Sequence, residues 1–177
     1  MKKIILLSVI LLLISAGCKK SSTSNSTTNI QNNLITQMNP LQSQVELVYK
    51  NFTKAIQDKN HDAFFKYSDI DNYKKLTQAE WSNVVSKSVF PSLKDLKFIS
   101  LEQKANNVLY FAQAPFDIAF PDDTDSVTLM VITFVRDGDT YKIKSSRNFV
   151  LEKSSSTEET NTKVKTKVEQ VKLDLLK

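Results

Sequence analysis

The chain has 177 residues, of which 41% are hydrophobic and 24% charged, enough for one folded domain with terminal extensions. Its net charge is +5, but residues 41–151 hold 14 basic and 14 acidic side chains, so no concentrated basic face points to a nucleic-acid partner. With only 2 glycines, the chain also lacks a glycine-rich phosphate loop or dinucleotide fingerprint.

The N-terminal segment has the layout of an export signal. Lys2 and Lys3 precede an apolar run at residues 4–14. That run is too short for a membrane-spanning helix, which needs about 20 residues, and suits a signal peptide. Small residues then lead to Cys18, the only cysteine of the chain.

This pattern resembles the lipobox of bacterial lipoproteins, although Ser15 stands where that motif usually has Leu, Val or Ile. The resemblance implies that residues 1–17 are a signal peptide, cleaved between Gly17 and Cys18. It also implies that Cys18 receives a diacylglyceryl thioether and usually a third, amide-linked chain. Two or three acyl chains anchor a protein stably, so the expected partner is a bacterial membrane, with the domain on its extracytoplasmic side. An ordinary secretory signal with a coincidental cysteine is the alternative.

Residues 18–39 are predicted to form a flexible tether after the lipidated cysteine. Positions 21–33 are almost wholly Ser, Thr, Asn and Gln, with Ile30 as the one apolar residue. Such a composition cannot bury enough surface to offset the entropy of ordering. We therefore place the globular domain at residues 40–151.

The first half of this domain is predicted to be helical. Residues 41–57 carry apolar side chains at the spacing of one helix face. Asn60 or Asp62 is expected to cap a short second helix. Thr77, followed three residues later by a glutamate, forms a capping box that begins a third helix, which should end at Pro91.

The second half shows the two-residue period of strands. A first strand is expected at 96–101, and a second from 108 to 120, whose even positions should all face the core. Residues 127–136 are apolar on both faces, which is typical of a central strand covered on both sides. Asp137–Gly138 predicts a hairpin turn before a strand at 141–145. The fold class is therefore α+β, with N-terminal helices packed on an antiparallel sheet of about four strands.

This order of elements resembles the nuclear-transport-factor-two-like, cystatin-like fold. The likeness is carried by the helix and polar break at residues 45–65, the helix after Thr77, and the closing hairpin at 133–143. It implies a curved, cone-like sheet wrapped around the long first helix. A helix-on-sheet domain of another topology is the alternative.

The tail, residues 152–177, has an apolar seam at helical spacing, formed by Val164, Val168, Val171 and Leu175. We expect a frayed helix that docks on its own domain. A helix that binds a partner or the membrane surface is the alternative.

Few residues suggest chemistry. His61, the only histidine, stands at a polar helix start and is expected to be solvated or capping. Asp122, Asp123 and Asp125 are interpreted as a charged turn, because the glycine and glutamate of a calcium loop are missing. Asp69 and Asp71 are interpreted as a solvated loop pair. We therefore expect no catalytic, cofactor-binding or metal site.

A pocket inside the cone is the main hypothesis for a binding site. Its candidate lining is aromatic, although each side chain also suits core packing: Tyr49, Phe52, Tyr67, Trp81 and Tyr110. Enzymes of the resembling superfamily place carboxylate and tyrosine groups inside this cone. No Asp or Glu of the chain can be aligned to such an inward position.

The sequence thus favours a membrane-anchored module that binds a small apolar ligand or an envelope protein without catalysis. Two alternatives remain. One is a cone-fold enzyme of the isomerase or cyclase type. The other is a structural or assembly lipoprotein that acts through its C-terminal helix.

Overall fold

The computed structural model describes residues 39–120 and 122–175; the predicted cleavage site at Gly17 and Cys18 and all of the tether before Asn39 lie outside this range. The elements follow in the predicted order, helices first and strands second. They are α1 (Pro40–Gln57), α2 (His61–Tyr67), α3 (Asp71–Lys74), α4 (Gln78–Val85), a 3₁₀ turn (Leu93–Asp95), β1 (Lys97–Lys104), β2 (Asn107–Ala114), β3 (Ser126–Asp137), β4 (Thr140–Glu152) and α5 (Thr157–Leu175).

The helix starts are set by side-chain caps. The Asn39 carboxamide oxygen accepts a hydrogen bond from the Leu41 N–H at 2.9 Å, and Pro40 fills the first position of α1. Asn60 caps α2 by accepting from the Ala63 N–H at 2.9 Å. Short polar side chains therefore define where both helices begin.

The third predicted helix, α4, is shorter than expected. It begins with the predicted capping box, in which Thr77 and Glu80 each bond the other's backbone N–H. It ends at Val85 rather than at Pro91, so the predicted end is wrong. The hydroxyls of Ser86 and Ser88 donate to carbonyl oxygens of the preceding turn, and such bonds compete with helix continuation.

The four strands form an antiparallel sheet in the order β1-β2-β3-β4, which confirms the α+β class. β2 ends at Ala114, directly before Pro115, which cannot donate a ladder hydrogen bond. The expectation of an unbroken core face from 108 to 120 is therefore wrong at its end, where the Phe120 side chain is 68% exposed. β4 continues to Glu152, seven residues beyond the predicted end at Ser145.

β3 is the central structural element, because both of its faces are buried. Met130, Ile132 and Phe134 pack against the helices α1, α2 and α4 on one face of the sheet. Val127, Leu129 and Val131 alternate with them and pack against α5 on the other face. The sheet is thus the middle layer between two helical layers, as the apolar run at residues 127–136 predicted.

α5 docks on its own sheet, as the first interpretation of the tail expects, but it is a continuous helix of 19 residues instead of a frayed one. Val164, Val168 and Val171 are buried against β2 and β3. The Lys172 ammonium forms a salt bridge to Glu102 of β1 at 2.7 Å. Among the residues that the structure describes, no helix is long and apolar enough to cross a bilayer.

We predict that Val168→Ala lowers the free energy of unfolding by about 2 kcal/mol, because it removes two buried methyl groups and leaves a cavity. Leu173→Ala, on the same helix but 66% exposed, should change it by less than about 0.5 kcal/mol. Urea unfolding of both variants tests this. Equal effects of the two substitutions would contradict the docking of α5.

Candidate functional site

The best-placed candidate site is a cleft on the α1 face of the sheet, which we name the Met130 cleft. It has a volume of about 370 Å³ and lies between α3, the segment after α4, and strands β3 and β4. Its lining combines five apolar residues with five neutral polar ones: Ile70, Tyr73, Val89, Phe90 and Met130, and Asn72, Ser88, Ser145, Ser146 and Asn148.

The electrostatics of the Met130 cleft are unusual for a chain in which 24% of the residues are charged. None of its lining residues is Asp, Glu, His, Cys, Lys or Arg. A charged ligand would lose its hydration there without gaining a countercharge. The cleft is therefore suited to an uncharged ligand that has both apolar groups and hydrogen-bonding groups.

A bulge in β4 brings two of the polar side chains to the cleft. The pairing of β3 with β4 shifts between Thr133 and Phe134, which leaves Lys144 as the extra residue. Before the bulge, Ile143 faces α1. One extra residue reverses the alternation, so Ser146 and Asn148 face the cleft.

The structure places most of the predicted pocket residues in the core. Tyr49, Phe52, Trp81 and Tyr110 are buried, and their own side chains fill the space between helices and sheet. Tyr67 is half-buried at the margin of the same core. None of the five lines the Met130 cleft. The aromatic character of these positions reflects core packing, because large rings bury the most apolar area.

Tyr49 nevertheless connects the core to the cleft. Its hydroxyl donates to the Pro91 carbonyl oxygen at 2.8 Å, and lies 4.0 Å from the sulfur of Met130. Burial raises the pKa of this phenol above its ordinary value. Tyr49 thereby contacts Met130, which lines the cleft, and Pro91, which directly follows the cleft residue Phe90.

A second polar group, Glu46, lies at the inward side of α1. Its carboxylate accepts hydrogen bonds from the Tyr110 hydroxyl and the Gln42 side chain, both at 2.8 Å. Burial, followed by the bond to Glu46, raises the pKa of Tyr110. Sequence reasoning found no inward carboxylate and missed Glu46; the signal was an acidic residue one position after Val45, at the edge of the apolar stripe.

His61 packs against aromatic rings instead of standing free in solvent. Its ring lies 4.9 Å from that of Phe65 and 5.3 Å from that of Trp81, edge to face. Its Nδ1 is 3.4 Å from the Asp62 carboxylate, and its Nε2 is buried without a hydrogen-bond partner. The cap of α2 is Asn60, so His61 is neither the capping residue nor fully solvated as expected.

The aspartates form local structure. Asp69 and Asp71 both bind the Lys74 ammonium, and these hydrogen bonds raise the pKa of that lysine. The Asp123 carboxylate accepts from the Asp125 N–H at 2.8 Å within the predicted turn. In residues 39–120 and 122–175, no group of three or more His, Cys, Asp or Glu side chains is arranged to hold a metal ion.

The sequence did not predict the cleft, because the polar residues that β4 contributes to its lining are typical of loops. Ser146 and Asn148 lie beyond Ser145, where the predicted strand ends, and Asn is a residue type that strands disfavour. The signal that extends the strand is the apolar alternation of Phe149 and Leu151, which pack against α5. The position of the bulge at Lys144 cannot be predicted from the hydrophobic pattern of the sequence.

Comparison with known proteins identifies no relative of this chain. No family model, no curated protein and no solved structure matches it.

The buried tyrosines predict a loss of stability at alkaline pH. Unfolded tyrosine titrates near pH 10, whereas burial raises the folded-state pKa of Tyr49. The unfolded state therefore loses this proton first, and stability is unaffected below about pH 10 and falls above it. Between pH 9 and 11, Tyr49→Phe should lose about 1 kcal/mol less than the wild type in denaturant unfolding.

Between pH 7 and pH 9, the free energies of unfolding of the wild type and Tyr49→Phe should change by equal amounts. This range is the control, because the constant difference there measures the loss of the hydroxyl group itself. A wild-type loss between pH 9 and 11 no larger than that of Tyr49→Phe would show that the phenol ionises freely in the folded state.

Proposed function

We propose that the protein is a membrane-anchored extracytoplasmic lipoprotein whose domain binds an uncharged ligand in the Met130 cleft without catalysing a reaction. The observation that carries this proposal is the chemistry of the cleft. It offers apolar and neutral polar side chains, and it offers no carboxylate, imidazole, thiol or amine for acid–base or nucleophilic catalysis.

The anchor is supported by the order of residues at the N-terminus. Lys2 and Lys3, the apolar run 4–14 and the single Cys18 have the layout of a lipoprotein signal. The tether at residues 18–39 would give the domain reach from the membrane, because a flexible chain of about 20 residues spans roughly 25 Å.

We also propose the cone-like curvature of the resembling fold. Two irregularities in strand pairing support it, one between Phe98 and Ser100 of β1 and one at Lys144 of β4. Bulges bend a strand and increase its twist. The long helix α1 packs on the face of the sheet that this curvature would make concave.

The two alternative functions have weaker support. The Glu46–Tyr110 pair is the arrangement that a cone-fold enzyme would use, but neither residue lines the Met130 cleft. An assembly role for the C-terminal helix would require an unoccupied apolar face. The valines of α5 are already buried against the sheet.

Filling the cleft tests ligand binding. We would screen neutral compounds of about 10 to 20 non-hydrogen atoms, a size that small-molecule clefts accept. Binding is measured by thermal shift on the full chain in detergent micelles. Compounds that stabilise the wild type should not stabilise Ser146→Trp, whose indole would occupy the cleft. Arg147→Trp, on the opposite face of the same strand, is the matched control and should keep binding.

Hits that stabilise both tryptophan variants would place the ligand elsewhere and contradict the proposal. An absence of hits with the wild type would do the same.

The anchor is tested separately by metabolic labelling with a clickable fatty acid. The wild type should incorporate the label and sediment with membranes. Cys18→Ser should do neither, because the sulfur that carries the diacylglyceryl group is gone. Unlabelled wild-type protein, or label retained by Cys18→Ser, would refute lipidation at this site.

A further inference from the structure

The outer edge of β4 is already used by the chain for strand pairing. β4 is an edge strand of the sheet, and the Asp69 N–H donates to the Ile143 carbonyl oxygen at 2.7 Å. Ser68 forms an isolated parallel bridge with the same residue. The chain then turns away into α3. Among the described residues, no segment pairs with the outer edge of β4 from Ser145 to Glu152.

The backbone groups of this free edge point outward at alternate residues. At the end of the ladder the Lys153 N–H donates to the Asp125 carbonyl oxygen at 2.8 Å. Bonded and non-bonded pairs alternate along antiparallel strands, so from there the free N–H and C=O groups belong to Val150, Asn148 and Ser146. An edge strand with such vacant groups is a template for another strand.

The free edge and the Met130 cleft share residues. Ser146 and Asn148 contribute outward backbone groups to the edge and side chains to the cleft. Neither they nor Asn72 across the cleft makes a side-chain hydrogen bond within the described part of the chain. A strand laid along β4 would therefore direct every second side chain toward the rings of Tyr73 and Phe90.

We propose that an extended, uncharged peptide segment binds along residues 146–150 as a fifth strand, with alternate apolar side chains inserted in the Met130 cleft. Main-chain hydrogen bonds to β4 supply affinity, and the cleft selects the side chains. The peptide is uncharged because neither the outward residues of the segment 146–150 nor the cleft lining carries a charge. This inference rests on the proposed binding function of the cleft and names its ligand class.

The test uses an arrayed library of capped, uncharged hexapeptides in which Val, Leu or Phe alternates with Ser, Thr or Asn, bound to the full chain in detergent micelles. Binders are then remade with N-methyl groups on alternate residues, in the two opposite phases. The phase that removes the N–H groups facing β4 should weaken binding roughly tenfold or more, because it deletes backbone hydrogen bonds and adds a steric clash. The other phase should bind nearly as well as the parent peptide.

Two protein variants accompany the peptides. Asn148→Pro removes one outward N–H from an edge position where proline is tolerated, and it should weaken the same binders. Ser146→Trp should abolish selection for apolar side chains. Because the N-methyl comparison is made on unaltered protein, a variant that fails to fold does not affect it.

Equal binding of both N-methyl phases, or no peptide binder at all, would overturn the fifth-strand inference. If the peptide test fails but neutral small molecules bind the wild type and not Ser146→Trp, the proposed binding function stands without the fifth-strand inference. A wild-type dimer that Asn148→Pro converts to a monomer would assign the edge to a second copy of the chain, and would also overturn the inference.

Discussion

The two-sided burial of β3 is the constraint on which the rest of the domain depends. Its alternate side chains belong to two separate cores, one under α1, α2 and α4 and one under α5. A strand buried on both faces cannot shift by one residue without exchanging the two sets of side chains, so its register is strongly specified. β2 and β4 are aligned by pairing with it, and both helical layers take their positions from it.

The candidate site is a consequence of how β4 departs from this order. The strand is kept in the sheet on both sides of Lys144, but its alternation reverses there. Beyond the bulge, Phe149 and Leu151 complete the core under α5, which leaves small polar side chains on the α1 face. The helices on that face do not cover them, and a cleft remains. Core and cleft are therefore two results of one inserted residue.

The fold class could be predicted from the sequence because its main signals are local. The capping box at Thr77, the proline at the start of α1, the turn at Gly138 and the doubly apolar run of β3 each act within a few residues. Core packing of the aromatic residues could also be predicted. The Met130 cleft could not be predicted, because it depends on which polar residues, distant in sequence, come together in the fold. Asn72 and Asn148 lie far apart in sequence, and composition alone assigns both to loops.

Burial of β3 by α5 has a consequence for folding during synthesis. The chain is synthesised from its N-terminus, so residues 157–175 are made after the whole sheet. Until they arrive, the valine and leucine side chains of β3 on that side have no cover. The nascent domain therefore exposes an apolar face of the sheet until α5 has been made. A chain cut short near residue 152 would keep this face exposed and would be prone to aggregate.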